Sequence, residues 1–128
     1  MNKKSKVFNY TAHKKLWTWL LNHPRDDKLN WKEWSKYSGI FNHCFLCNYA
    51  INNTLPNEFF YCKHCPANVK YSHYECLNGL YSKYEASAII LSNHMYSSLK
   101  TWTKQYKRRR QAIKHILNIP IKSNISIK

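Results

Sequence analysis

Four of the five cysteines form two pairs with the same spacing, Cys44 and Cys47 followed by Cys62 and Cys65. Two residues between paired cysteines let a tight turn aim both sulfurs at one point, and two facing turns complete a tetrahedron around a metal ion. Thiolates are soft ligands that favour zinc over magnesium or calcium, with zinc–sulfur bonds of about 2.3 Å. An iron–sulfur cluster is less favoured, because its usual cysteine spacings differ from this one. The sequence therefore predicts a zinc ion held by these four thiolates.

The identity of one ligand stays open. Cys76 is a fifth thiol, and it could replace one member of the second pair. His73 lies three residues before Cys76, which is itself a possible ligand spacing. His43 and His64 are also close in sequence, although a solvated or hydrogen-bonded side chain is the simpler interpretation of each histidine.

The same stretch carries no pattern that would make the zinc catalytic. A hydrolytic zinc keeps one position open for water and uses a nearby general base, whereas four thiolates fill the coordination shell. Glu58 and Glu75 are the only acidic residues near the cysteines in sequence. Zinc deaminases need an H-x-E followed by P-C-x-x-C, but no H-x-E lies upstream of the second cysteine pair, and Tyr61 instead of proline precedes Cys62. A glycine-rich phosphate loop is also missing. We therefore expect a structural zinc, which can contribute about 10 kcal/mol to the folding of a small domain, and no enzymatic activity.

The chain is strongly basic: 21 lysines and arginines face six acidic residues, which gives a formal charge of +15 over 128 residues. A low-GC genome would explain the abundant lysine, but it would not explain why glutamate is scarce. Nine basic residues and no acidic one follow Glu85. An acid-free C-terminal third is typical of a surface that meets a polyanion. The expected contact residues are Lys100, Lys104, Lys107, Arg108, Arg109, Arg110 and Lys114.

These side chains need a scaffold, and the spacing of apolar residues predicts a mainly helical one. Residues 10–23 have the period of a first helix, and Pro24 follows its last turn. Asp26 or Asp27 can cap a short second helix, which Gly39 ends.

The cysteine segment and the end of the chain complete the predicted architecture. Residues 57–62, between the two cysteine pairs, are rich in aromatic β-formers and predict a short strand. From about Glu85 to Asn118 the apolar period predicts one long amphipathic, basic helix, which Pro120 stops. Its apolar stripe comprises Leu91, Met95, Leu99, Trp102, Tyr106, Ile113 and Leu117. The expected fold class is mainly α: a small zinc-clipped α+β domain over residues 1–118, with zinc knuckles at 44–65, and a basic tail at 119–128.

The sequence also indicates where the chain resides. No hydrophobic run is long enough to span a membrane, and the first fifteen residues lack the apolar core of a signal peptide. Paired cysteines in a reducing compartment favour metal over disulfide. We therefore expect a cytoplasmic protein without a membrane partner.

A resemblance to a known family extends from His13 to about Cys76. It rests on the segments HKKLWTWLLNHP, W-x-x-W, CFLCNYA and CKHCP, which are similar to those of short uncharacterised proteins from phages of low-GC Gram-positive bacteria. The resemblance implies an intracellular zinc protein, encoded by a phage or mobile element and acting in the cytoplasm of a bacterial host. It implies no particular activity, and the Arg-rich C-terminal helix lies outside it.

Two functions fit these features. Phage accessory proteins of this size often antagonise the host, so the resemblance favours a non-enzymatic inhibitor that binds and blocks a nucleoprotein defence machine, as anti-CRISPR proteins do. A basic inhibitor would contact guide RNA or an acidic face of its target. The alternative is a general or regulatory DNA- or RNA-binding accessory protein that uses the basic C-terminal helix. In both cases the expected partner is a nucleic acid or a nucleoprotein effector.

Overall fold

The computed structural model of the chain describes residues 7–58, 61–67, 80–92, 99–123 and 125–128, with the backbone alone at 62 and 89–92. These residues are mainly helical, as the apolar spacing predicts. The α-helices within them are α1 (Tyr10–Asn22), α2 (Phe45–Asn52), α3 (Leu80–Ser92) and α4 (Leu99–Leu117). The described strands are β1 (Val7–Phe8) and β2 (Ser126–Ile127), and short 3₁₀ helices cover Lys28–Asn30, Lys32–Lys36, Phe41–His43 and Tyr61–His64.

Helix α1 confirms the first predicted helix and forms the centre of the core. Asn9 caps it, since the Asn9 side chain accepts a hydrogen bond of 3.1 Å from the Ala12 amide. Leu16 and Leu20 are fully buried on the inner face of α1, which packs against α4. The helical period therefore sets which side chains of α1 form the core and which remain available to a partner.

The two ends of the chain meet in a parallel sheet. Strand β1 pairs with β2 in the register Val7 with Ser126 and Phe8 with Ile127. The ladder continues past the strands, because the Thr11 amide donates to the Lys128 carbonyl at 2.9 Å. Phe8 is completely buried, so this small sheet seals one side of the core. The last four residues of the predicted basic tail are thus part of the fold.

The predicted single helix over residues 85–118 is wrong, because α3 and α4 pack side by side along their lengths. Leu80 lies beside His115 and Tyr84 beside Arg109, so the two helices run in opposite directions. The apolar period continues through both helices and cannot reveal where the chain reverses. Residues 93–98, where the two helices are joined, lie outside the described residues. Leu99, placed on the apolar stripe, is 82% exposed at the start of α4.

Between α1 and α2 the chain forms 3₁₀ turns where a short α-helix was predicted. Asp27 is the N-cap, as expected, and its side chain accepts from the Leu29 amide at 2.9 Å. Gly39 has the positive φ of +67° that ends such a segment. The Trp34 and Tyr37 amides donate to the carbonyls three residues earlier, as in a 3₁₀ helix. The rings of Trp31 and Trp34 pack edge to face with centroids 5.0 Å apart.

The strand predicted over residues 57–62 is not observed where the structure describes that segment. Tyr61 and Cys62 begin the 3₁₀ helix Tyr61–His64, and residues 59 and 60 lie outside the described part. The aromatic run favoured a strand on propensity, but pairing and packing decide whether a strand forms. The Tyr61 ring packs edge to face on Phe41, with centroids 5.3 Å apart.

Candidate cysteine centre and cationic face

The first cysteine pair forms a turn held by a sulfur hydrogen bond. Cys44 is the N-cap of α2, and its Sγ accepts from the Cys47 amide at 3.2 Å. This geometry brings the start of α2 and the two thiols together, as the C-x2-C spacing predicts. The hydrogen bond with the Cys47 side chain lowers the pKa of the Cys44 thiol to about 7, against the opposing effect of burial.

The second cysteine pair lies on a segment that packs against the helix that carries the first pair. The 3₁₀ helix Tyr61–His64 contacts α2 directly, and Cys65 follows it, half-buried. Beside it, the Glu58 carboxylate accepts from His64 Nε2 at 2.9 Å and forms an ion pair with Lys63. The fold therefore brings the backbone segments that carry both pairs into contact.

The zinc ligands themselves remain a prediction. Within the described residues no three histidine, cysteine or acidic side chains come together in a way that would hold a metal ion. The Cys62 side chain, His73 and Cys76 lie outside those residues. His43 is exposed with its ring 5.0 Å from Trp34, and His64 is engaged by Glu58.

A lysine and a tyrosine lie close to the first pair. Lys28 Nζ donates to the Asn42 carbonyl at 2.9 Å and lies 4.7 Å from the centre of the Tyr81 ring. Burial raises the pKa of Tyr81, and the charges of Glu85 and the two thiols add to this effect. The Lys28 ammonium acts in the opposite sense on Cys44, where a positive charge favours the thiolate. Lys28 thus connects Tyr81 of α3 with the turn that precedes Cys44.

Helix α4 presents a row of cations on its outer face. Lys100, Lys104 and Lys107 are exposed at steps of four and three residues, so they lie on one side of the helix. Arg108 and Lys114 are exposed on the same side, and no acidic residue occurs anywhere in α4. We call this set the cationic face: Lys100, Lys104, Lys107, Arg108 and Lys114, with the half-exposed Arg110 at its edge.

Arg109, predicted among the contact residues, is instead in the protein interior with 1% of its surface exposed. Its guanidinium donates to the carbonyls of Leu20 at 2.7 Å, of His23 at 3.1 Å and of Asp26 at 2.8 Å. It also lies 5.4 Å from the centre of the Tyr84 ring. A buried arginine needs such partners, and here they are carbonyls at the C-terminal end of α1 and in the turn that follows it. Arg109 is therefore a structural residue, which is a correction to its predicted role.

A signal for this correction exists in the sequence. The apolar stripe steps seven residues from Tyr106 to Ile113, and Arg109 occupies the helical position that the step omits. The observed inner face of α4 comprises Gln105, Arg109, Ala112, Ile113 and Ile116. The gap in the stripe therefore corresponds to a buried polar residue, Arg109, whose burial is compensated by hydrogen bonds to backbone carbonyls.

The cationic face extends to the neighbouring helix. Lys83 of α3 and Arg108 of α4 line a small groove of about 190 Å³, together with Gln111 and His115. Lys83 and Arg108 are exposed. The groove therefore adds a cation from α3 to the row on α4.

Comparisons with known proteins give no family for this chain: no protein-family model matches it, and no curated protein or solved structure is significantly similar to it. Among the described helices, none has both the length and the apolar character that a membrane crossing requires.

Proposed function

We propose that this chain is a non-enzymatic nucleic-acid-binding protein and that the cationic face of α4 is its phosphate contact. The observation that carries the proposal is the row of five exposed cations on one helix without any acidic residue. A solvated helix face normally mixes both signs of charge, since pairs at i and i+4 stabilise the helix. Here like charges accumulate, and a polyanion would relieve their repulsion.

The dimensions of the face suit a nucleic-acid backbone. Lys100 and Lys114 are 14 residues apart on α4, which corresponds to about 21 Å along the axis. A duplex carries one phosphate charge per about 1.7 Å of its axis, so a face of this length is long enough to meet several phosphates. The face carries no pattern for reading bases, and we expect binding that depends on charge and not on sequence.

We further propose that zinc, held by Cys44, Cys47, Cys62 and Cys65, stabilises the body that carries this face. Two observations support it: the sulfur hydrogen bond within the first pair and the packing of Tyr61–His64 on α2. Bound zinc would tie α2 to the segment that follows it and would have a structural role.

The narrower biological role, an anti-CRISPR-like block of a host nucleoprotein machine, rests on the resemblance and on the same polyanion contact. A pull-down of tagged protein from bacterial lysate, with and without nuclease, separates it from general nucleic-acid binding. A defined defence complex would support the inhibitor. Bulk nucleic acid that nuclease removes would support the accessory protein.

The proposal is tested by a charge-matched pair of double variants. Lys104→Ala with Lys107→Ala removes two charges from the cationic face, and Lys63→Ala with Lys122→Ala removes two charges from the cysteine segment and the C-terminal tail. Fluorescence anisotropy with a labelled 20-mer, over a series of salt concentrations, should give weaker binding and a shallower salt dependence for the first variant alone. Each lost phosphate contact lowers the slope by about 0.7 to 0.9. Equal losses in both variants would contradict a specific face.

A further inference from the structure

A groove on the outer side of α1 contains none of the residues of the cationic face. Its volume is about 740 Å³, which lies within the range of ~300–1,000 Å³ that is typical of ligand sites. It runs along the exposed face of α1 and is bordered on its other side by residues 31–33. We call it the α1 groove, and its lining includes Lys14, Lys15, Trp19, His23 and Lys32.

The α1 groove contains a prearranged aromatic surface. Trp19 and His23 lie one turn apart and stack with ring centroids 4.4 Å apart and planes inclined by 18°. His23 Nδ1 is 2.7 Å from the Trp19 carbonyl oxygen, and a carbonyl can only accept, so Nδ1 donates and the imidazole is held in place. Trp19 is only partly buried. Rings held rigid before binding lose little conformational entropy when another flat ring stacks beside them.

The charges around the α1 groove favour an anionic ligand. Lys14, Lys15 and Lys32 are all exposed at its border. Glu33 is the acidic residue of the lining, and its carboxylate is paired with Lys36 at 2.5 Å. Lysines supply charge for a phosphate backbone, and the aromatic rings supply a surface for bases.

We propose that the α1 groove binds single-stranded nucleic acid, with a base stacked against the Trp19–His23 pair and phosphates near the lysines. In a duplex the faces of the bases are already stacked, so only an unpaired strand can offer one to these rings. This inference rests on the proposed function. It specifies that the nucleic acid is single-stranded, whereas the cationic face could contact the phosphates of either a single strand or a duplex. Stacking is insensitive to base identity, so little sequence preference is expected.

The experiment compares two labelled probes, a 12-nucleotide single strand and a 12-base-pair duplex, by fluorescence anisotropy in the same buffer. Trp19→Ala removes the stacking surface, and Trp19→Phe retains an aromatic ring. Trp102→Ala is the matched control, because Trp102 is also partly buried and stacks on the residue four positions later, Tyr106, with centroids 5.2 Å apart. Circular dichroism of each variant monitors the fold.

The expected result is a loss of about tenfold or more in single-strand affinity for Trp19→Ala, with duplex affinity within twofold of wild type. Trp19→Phe should recover most of the loss, and Trp102→Ala should leave the ratio of the two affinities unchanged. Equal affinity of Trp19→Ala and wild type for the single strand would overturn the inference. So would a wild-type protein that binds only the duplex.

A variant at the border of the α1 groove provides a second test if Trp19→Ala does not fold. Lys15→Glu changes an exposed charge beside the groove and should reduce single-strand affinity several-fold more than duplex affinity. An unchanged ratio in Lys15→Glu would then refute the inference. The double variant of Lys104 and Lys107 separates the two proposals: if it binds both probes like wild type, the cationic face is refuted, whatever Trp19→Ala shows.

Discussion

Arg109 Nη1 donates a hydrogen bond of 2.7 Å to the carbonyl oxygen of Leu20, which lies 89 positions earlier in the chain. The same guanidinium donates to the carbonyls of His23 and Asp26, so one side chain binds the C-terminal end of α1 and the turn that follows it. A positive charge at a helix C-terminus also interacts favourably with the helix dipole. Arg109 thereby fixes α4, and its cationic face, relative to α1.

Arg109→Ala should lower the free energy of unfolding by about 3 kcal/mol, because three carbonyls lose a charged donor and a cavity forms. Urea denaturation followed by circular dichroism measures it. The neighbouring Arg108→Ala is the control: Arg108 is exposed, so its stability should stay within about 0.5 kcal/mol of wild type while its affinity for nucleic acid falls. Similar stabilities for the two alanine variants would contradict the structural role of Arg109.

Purified protein should contain one zinc ion per chain, measured by inductively coupled plasma mass spectrometry. Cys44→Ser and Cys65→Ser should lose the metal and lower the melting temperature by ten degrees or more, since structural zinc contributes much of the stability of a small domain. Cys76→Ser is the comparison. If it retains zinc, the two C-x2-C pairs form the site, and if it loses zinc while Cys65→Ser keeps it, Cys76 is the fourth ligand. Metal-free wild-type protein would refute the centre altogether.

Acid should destabilise the fold from about pH 6.5 downward through His13. Burial, with a smaller effect of Lys14, lowers the pKa of His13 from 6.5 to about 4. A depressed native pKa means that the unfolded state binds the proton first, so this stability is complete above pH 6.5 and is lost as pH falls to 4. The loss amounts to ~3 kcal/mol.

The measurement is urea denaturation at a series of pH values. His13→Gln should flatten the dependence between pH 6.5 and 4.5, because it removes the buried imidazole. The pairing with Lys63 lowers the pKa of Glu58 from 4.5 to about 2. The stability that Glu58 contributes is therefore lost only below pH 4.5, outside the window used for His13. A wild-type curve that is flat from pH 6.5 to 4.5 would contradict the assignment.

Removing residues 125–128 should destabilise the protein by roughly 2 kcal/mol. The deletion removes β2, together with the backbone bonds from Thr11 to Lys128 and from Lys128 to Phe8, and it uncovers one edge of β1. Thermal unfolding of the truncated chain measures the loss. Ile127→Ser, which keeps the backbone bonds and changes a half-exposed side chain, should have a much smaller effect. An equal effect of both changes would mean that the Ile127 side chain, and not the backbone pairing of β2, provides the stability.

The apolar period predicted α1 well, because a single amphipathic helix against a core follows from local spacing alone. The same reasoning failed for the α3–α4 pair, since a reversal between two helices of the same period leaves the period unchanged. The sequence also predicted an exposed Arg109, because a charged residue is normally exposed. Its three carbonyl partners lie more than eighty positions away, so local spacing could not reveal them. The α1 groove depends on how residues 31–33 return to α1, which is a tertiary contact.

The pairing of β1 with β2 has a consequence for biosynthesis. Val7 and Phe8 are synthesised more than one hundred residues before their partners Ser126 and Ile127. Until they emerge, the completely buried Phe8 lacks the strand that covers it. The core therefore cannot close around Phe8 before β2 has been synthesised, and this long-range closure is expected to be slow compared with helix formation. During that interval β1 is available to chaperones and proteases.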